Sequence, residues 1–407
     1  MRVGVLGGGI QGCCVALALA ERGVDVTLFD RNHDLMSRAA VANEGKIHLG
    51  YMYANDPTHS TARMMIEGAL AFAPFFERHL AISRESMALS RPAAYVVHRD
   101  SQRSPEEVSQ YLSVTHGMVR EASKGRAKDY FGRDLSGELR KWSAAEREEQ
   151  FDPTVALAAF DTPEVAIDPV ALAQAVRARI KADPRIQVKS QHHVRSVDDR
   201  DNLEVSATTP NGEIRERYDH VVNALWEGRF LVDEKRGLRP SRPWLHRLKY
   251  GVSFRLPKTE RFPPSATFIS GPFGEVVSYG NGLTYLTWYP ICLRAMSGDI
   301  APPEWPTYPS EPLRSQLLEG TLKAMSQFVP SLRSIEVSTL RDVVVKGGVI
   351  VAWGKTDIYD RQSELHRRFE IGVASIGRFH SIDPGKLTMA PHFAGICAGR
   401  ILEGMGA

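Results

Sequence analysis

The N-terminus constrains this chain more than any other stretch. Val3-Gly4-Val5-Leu6 reads as a short apolar strand that runs straight into Gly7-Gly8-Gly9-Ile10-Gln11-Gly12. An apolar helix follows over residues 13–22, Gly23 stands where a helix C-terminal cap belongs, and a second strand over 24–29 ends on Asp30. In this setting each glycine has a task. Gly7 permits the tight strand-to-helix turn, Gly9 lets backbone approach a pyrophosphate, and Gly12 lets the helix pack closely on the strands. The helix N-terminus offers unpaired N–H groups and partial positive charge to phosphates. The Asp30 carboxylate, with Arg31 beside it, can bond ribose hydroxyls and disfavours a 2′-phosphate. A dinucleotide site on Gly7, Gly9, Ile10, Gln11, Gly12, Asp30 and Arg31 is therefore expected, with NAD and FAD both compatible.

The same stretch, opened by Arg2, superficially looks like an export signal ending Ala18-Leu19-Ala20. Its glycines and Gln11 interrupt the apolar helix that export needs, so a cytoplasmic chain is expected. Cys13, Cys14, Cys292 and Cys397 form no C-x-x-C pair, which leaves no disulfide framework and no metal site to read. No other stretch reaches the ~18 charge-free apolar residues that span a bilayer. With 43% hydrophobic and 24% charged residues, the 407-residue chain can bury a sizeable core. Lys plus Arg number 51 against 48 Asp plus Glu, a balance that argues against nucleic acid as a partner. Nothing here predicts an oligomeric state.

Beyond Asp30 the pattern alternates between two kinds of structure. A loop precedes an apolar helix over 63–80, a strand over 94–97 leads into charged, mostly helical residues 99–150, and Asp168 caps a helix over 170–182 with Pro169 in its first turn. Strands follow at 186–188 and 193–197, a hairpin turns on Pro210-Asn211-Gly212, and Val221-Val222-Asn223-Ala224 has the continuous apolar character of a buried parallel strand. Residues 250–289 are β-rich, 301–312 are a proline-rich connection, and a helix covers 313–328. Two strand segments over 343–353, a strand over 371–375, a loop and a helix over 389–402 close the chain.

Together these stretches make the chain resemble the D-amino-acid oxidase superfamily of FAD-dependent oxidoreductases over essentially its whole length. The resemblance rests on the Gly7–Gly12 motif with Asp30, on Ile167-Asp168-Pro169 with its helix and the Val194 strand, on the strand ending at Ala224, and on the return Ser381-Ile382-Asp383-Pro384-Gly385-Lys386-Leu387-Thr388. It implies an α/β fold: a Rossmann-like FAD-binding domain (1–80, 161–228, 343–407) interleaved with a β-rich α+β substrate domain (81–160, 229–342). It also implies FAD as cofactor, with contacts from Val194, Ala224, Gly385, Lys386, Leu387 and Thr388. The segment Asn43-Glu44-Gly45-Lys46-Ile47-His48-Leu49-Gly50-Tyr51-Met52-Tyr53 is similar to one in the L-2-hydroxyglutarate oxidase branch. That similarity adds Gly45, Lys46 and His48 to the cofactor set, with His48 either packed against the flavin or bonded to it covalently.

The implied reaction is hydride transfer from a carbon bearing nitrogen or oxygen to the flavin. A small amine or amino-acid-like substrate leads, a 2-hydroxy acid is its nearest rival, and an NAD-dependent dehydrogenase or a noncatalytic flavoprotein subunit are readings of another class. Such substrates are often anions, which a planar guanidinium suits. Arg255 and Arg378 are the candidates, although a surface ion pair is the commoner role for any single arginine. His48 and His380 are candidate bases. Tyr51 and one of Trp288 and Tyr289, adjacent on a strand, would wall the pocket.

Overall fold

The structure, a computed structural model, describes residues 1–83, 87–199, 201–257 and 262–403. In chain order its elements are β1 (Arg2–Leu6), α1 (Ile10–Ala20), β2 (Asp25–Phe29), α2 (Ser60–Leu80), β3 (Ala94–His98), α3 (Pro105–Ala122), β4 (Arg140–Lys141), α4 (Ala144–Gln150) and β5 (Ala156–Asp161). Then come α5 (Pro169–Ala182), β6 (Ile186–Lys189), β7 (His193–Asp199), β8 (Leu203–Thr209), β9 (Gly212–Tyr218), β10 (His220–Asn223) and α6 (Arg229–Lys235). The remainder is β11 (Trp244–Arg255), β12 (Ala266–Ile269), β13 (Gly274–Ser278), β14 (Leu283–Trp288), α7 (Tyr289–Cys292), β15 (Leu293–Ser297), α8 (Leu313–Ser326), β16 (Arg341–Trp353), β17 (Gly372–Ile376), β18 (Phe379–Asp383) and α9 (Ala390–Glu403).

The short apolar strands assemble into a six-stranded sheet in the order β17-β18-β10-β1-β2-β6, parallel except for β17 against β18. Its central strands are covered on both faces, which is why they read as continuous apolar runs. Val3, Val5, Val26 and Leu28 pack with α1, α2, α5 and α9 on one face. Leu6, Phe29 and Val221 pack on the other face with the three-stranded sheet β7-β8-β9. Asp168 starts α5 as expected, its Oδ1 accepting from Val170 N at 2.9 Å and Ala171 N at 3.1 Å. Asp168→Ala is expected to cost about 1 kcal/mol, read as a lower denaturant midpoint at unchanged slope.

A nine-stranded sheet, β15-β11-β14-β13-β12-β3-β5-β4 with β16 on the outer side of β11, forms the second layer. Strand periodicity decides which residues of it can do chemistry. Leu248, Tyr250, Val252 and Phe254 of β11 join α8 in a core, so the intervening Lys249 faces away from it. Thr267, Glu275 and Thr287 stand in register across β12, β13 and β14 on that same far face.

Three expectations need correction. Residues 343–353 form one strand with 341–342, and this strand pairs along β11, so the substrate sheet extends to Trp353 and the dinucleotide sheet resumes only at β17. Helix α6, placed with the substrate domain, packs instead against β7 and β10. Residues 379–383, read as loop, are the parallel strand β18; its His-Ser centre hides the strand pattern because their polar groups are bonded inside the fold.

Candidate active site

Between the two sheets runs one cleft of about 2230 Å³, open mouth included, which is large enough for a dinucleotide and a small substrate together. Gly7 begins its floor: with φ +98° it makes the turn, and a Cβ there would lie 2.6 Å from Ala224 O. A Cβ on Gly12 would lie 1.9 Å from Gly7 O, so that residue brings α1 against the turn. A Cβ on Gly9 would meet nothing within 4 Å, because it would project into the cleft. The first intrahelical bond of α1 is Cys13 N to Gly9 O, and no side chain caps the helix. Its first-turn N–H groups thus face the cleft with no protein acceptor, an arrangement that fits a pyrophosphate. Asp30 is fixed by Gly8 N at 2.8 Å on Oδ2 and by Asn32 N at 2.7 Å on Oδ1. Arg31 and Arg38 both reach Glu227, at 2.8 and 3.3 Å, on the cleft wall near Val194 and Ala224.

The middle of the cleft is built by residues 43–48, clamped between the start of α5 and the return loop 384–388. A Cβ on Gly45 would lie 1.9 Å from Ile167 O, and His48 N donates to Thr388 Oγ1 at 2.9 Å. His48 is buried, its Nδ1 3.4 Å from Glu164 Oε1 without hydrogen-bond alignment. Glu164 also accepts from Leu49 N at 2.6 Å and from the Tyr95 hydroxyl. Burial lowers the His48 pKa despite the opposing pull of Glu164, so the imidazole is neutral at pH 7.

Charges converge at the far end. The Lys46 ammonium donates to Glu275 and Thr267; burial would lower its pKa, but Glu275, Glu164 and Glu44 raise it. Glu44 is held at about 2: burial opposes ionisation, and Lys249, Lys386 and Lys46 overcome it. Lys386 is brought down to about 8 by burial and by Arg368. Lys249 lies over the Tyr289 ring at 5.1 Å. His366, lowered to about 3 by burial, Arg368 and Lys386, stands edge-on to Tyr53 at 5.8 Å. Met52, Ile358 and Leu365 complete the apolar wall.

Of the residues expected from sequence, Gly7, Gly9, Ile10, Gln11, Asp30 and Arg31 line the cleft, as do Lys46, His48, Val194 and Ala224. So do Gly385, Lys386, Leu387 and Tyr289. Gly12, Gly45 and Thr388 stand behind that lining as supports. Trp288, on the opposite strand face from Thr287, packs against Phe268, Phe273 and Phe328 in the core.

Four placements are corrected. Arg255 is at the solvent end of β11, paired with Asp342 at 3.2 Å and bonded to Asn281 O. Arg378, in the β17–β18 turn, donates to Asn202 Oδ1 at 2.8 Å, away from the cleft. His380, inside β18, meets Ser375 Oγ at 2.9 Å and His220 Nδ1 at 3.1 Å. Tyr51 is fully buried, its hydroxyl on His116 Nδ1 at 2.8 Å.

Glu44, Tyr53, Glu164, Lys249, Glu275, His366 and Arg368 were not singled out from sequence. Lys249 carried a signal, as a charge set between apolar Leu248 and Tyr250 in β11, a strand that also holds Arg247 and Arg255. Arg368 sat in the charged run 364–370, which looks like solvated loop.

A mostly parallel dinucleotide sheet, helices on one face and a three-stranded sheet on the other, joined across one cleft to a mostly antiparallel substrate sheet defines a two-domain flavoenzyme fold. The family of FAD dependent oxidoreductases termed DAO matches residues 2–354, and the chain belongs to it. FAD is that family's cofactor, which decides between the two dinucleotides left open above, and the uncapped α1 terminus with the vacant Cβ direction of Gly9 fits it. A stretch of 82 residues is 33% identical to the FAD-dependent monooxygenase FPY4 of Fusarium mangiferae, spanning 20% of this chain and only 21% of that protein. Glycine oxidase from Geobacillus kaustophilus superposes with a TM-score of 0.68 at 14% identity, over 99% of this chain and 95% of the other. Iminodiacetate oxidase from Chelativorans sp. BNC1 gives 0.68 at 16% over the same shares. FAD-bound L-α-glycerophosphate oxidase from Mycoplasma pneumoniae gives 0.64 at 18%, over 99% and 94%. At such identities the likeness establishes the fold. No helix among the described residues is long and apolar enough to cross a membrane.

Proposed function

We propose that the protein oxidises a small, anionic amine or amino-acid-like substrate at its C–N bond. The observation that carries this is the cation-rich end of the cleft, where Lys249 and Arg368 converge with Lys386 of the return loop. FAD, when bound, takes up the hydride that leaves the substrate carbon. The nitrogen lone pair then closes the C=N bond, so the amine must enter the step unprotonated. Arg368 and Lys386 hold the carboxylate and orient the carbon–hydrogen bond. Met52, Ile358 and Leu365 exclude water from it.

A 2-hydroxy acid is favoured by one observation, the buried His48 imidazole backed by Glu164. Such a pair suits removal of a hydroxyl proton. Anaerobic mixing of the FAD-loaded protein with matched donors separates the readings. Amino acids and their N-alkyl derivatives are expected to bleach the flavin band while the corresponding 2-hydroxy acids leave it unchanged. The reverse pattern would establish the second reading, and a flavin inert to both would overturn the proposal.

A further inference from the structure

Charge at the substrate end of the cleft is not balanced by the protein. Lys46 has its carboxylate in Glu275. Lys249, Lys386 and Arg368 have none: among the described residues no ion pair or carboxylate hydrogen bond reaches them. The Arg368 guanidinium is buried and donates only to backbone, Nε to Leu365 O at 3.0 Å and Nη1 to Gly385 O at 2.5 Å and Val351 O at 3.4 Å, which leaves Nη2 without an acceptor among the described residues. The neighbouring carboxylates are committed elsewhere, Asp357 to Arg247 at 3.1 Å and Asp383 to Arg229 at 2.9 Å. Glu164 stands behind His48 and is bonded to Leu49 N and Tyr95. Near these three cations, the carboxylates without a cationic partner among the described residues are Glu44 in the lining and Glu164 behind the neutral His48. Buried and unpartnered polar atoms mark the same region: Tyr53 Oη, His366 Nδ1 and Ser270 Oγ.

Uncompensated buried cations are costly, and each of the three is a point at which a carboxylate of a ligand can be held. The dinucleotide phosphates have their own donors at α1, at the opposite end of the cleft. We propose that this site recognises a dianionic substrate, an amino dicarboxylate whose one carboxylate is held by Arg368 and Lys386 and whose second is held by Lys249. This deepens, and rests on, the amine reading above. The electron balance is that of the amine reaction: two electrons and the hydrogen leave carbon as hydride, the nitrogen lone pair forms the C=N bond, and the second carboxylate takes no part.

The test uses the FAD-loaded enzyme and two readouts. First, non-oxidisable acids are titrated against the flavin spectrum: succinate and glutarate are expected to bind at least ~10-fold more tightly than butyrate, from one additional charge-assisted contact. Second, glutamate and aspartate are expected to reduce the flavin with kcat/KM at least ~10-fold above glutamine and asparagine, which keep size and lose one charge. Lys249→Met should erase both ratios, and Lys249→Arg, which retains charge if the methionine variant fails to fold, should preserve them. Equal affinity for mono- and diacids, or a preference surviving in Lys249→Met, would overturn the proposal. Rapid reduction by monocarboxylate amines with no dicarboxylate advantage sinks the dianion site alone. Tight diacid binding without reduction by any amine sinks only the amine chemistry.

Discussion

Gly9→Val is expected to give a folded protein that binds no flavin. Gly9 has an extended backbone, φ −70° and ψ −177°, which valine adopts readily, and its Cβ would contact no protein atom within 4 Å. The added isopropyl group instead occupies the space in front of the α1 N-terminus, where a pyrophosphate must approach the first-turn N–H groups. The purified variant should be colourless after FAD is added and desalted away. Its circular dichroism should match the wild-type apoprotein, with a stability loss of no more than about 1 kcal/mol for the poorer N-cap. The informative control is Gly12→Val, whose Cβ falls 1.9 Å from Gly7 O and should prevent folding altogether. A yellow, fully loaded Gly9→Val protein would remove the phosphate site from this loop.

The second large effect is in pH dependence. Burial and Arg368 bring the Lys386 ammonium from an ordinary 10.5 to about 8. It is the protonated form that attracts an anionic substrate, so the contribution is complete well below pH 8 and declines as pH rises through it. The expected profile of kcat/KM falls about tenfold per pH unit on that alkaline limb, since one proton is lost. Lys386→Met should lower the plateau by roughly 10- to 100-fold, the worth of one charge-assisted contact, and abolish the limb. The apoprotein moves the other way. Between pH 8 and 10.5 the unfolded chain holds a proton on this lysine that the folded chain has released, so stability rises with pH across that window. An alkaline limb unchanged in Lys386→Met would assign it to another group.

The dinucleotide half of the site was legible because its chemistry is local. Gly7, Gly9, Gly12 and Asp30 act through one turn and one helix terminus, and their spacing along the chain is their spacing in space. Asp168 with Pro169 was legible for the same reason, as a cap formed within its own helix. The substrate half was not. Arg255 looked like a carboxylate clamp because it sits on a strand of the right sheet, yet it lies at the solvent end of β11, and Lys249 reaches the cleft from the same strand. The pair Trp288 and Tyr289 marks the boundary between the two cases. Sequence places them side by side on a strand, but β14 ends at Trp288 and Tyr289 opens α7, and the packing of α8 on one face of the sheet decides that the tryptophan goes to the core.

His380 shows how a polar strand escapes notice. Its partners Ser375 and His220 come from β17 and β10, the second 160 positions away, and satisfy inside the sheet a group that sequence alone assigns to a loop. Arg368 shows the converse, a buried cation within a run of charges. The order of strands, helices and glycines along this chain is enough to specify a dinucleotide fold, because backbone conformation and period are short-range properties. Which charges face one another across the cleft is set by the approach of two sheets whose strands are far apart in sequence. Burial and unpaired charge are consequences of that approach, so the chemistry of the substrate end exists only in the folded molecule.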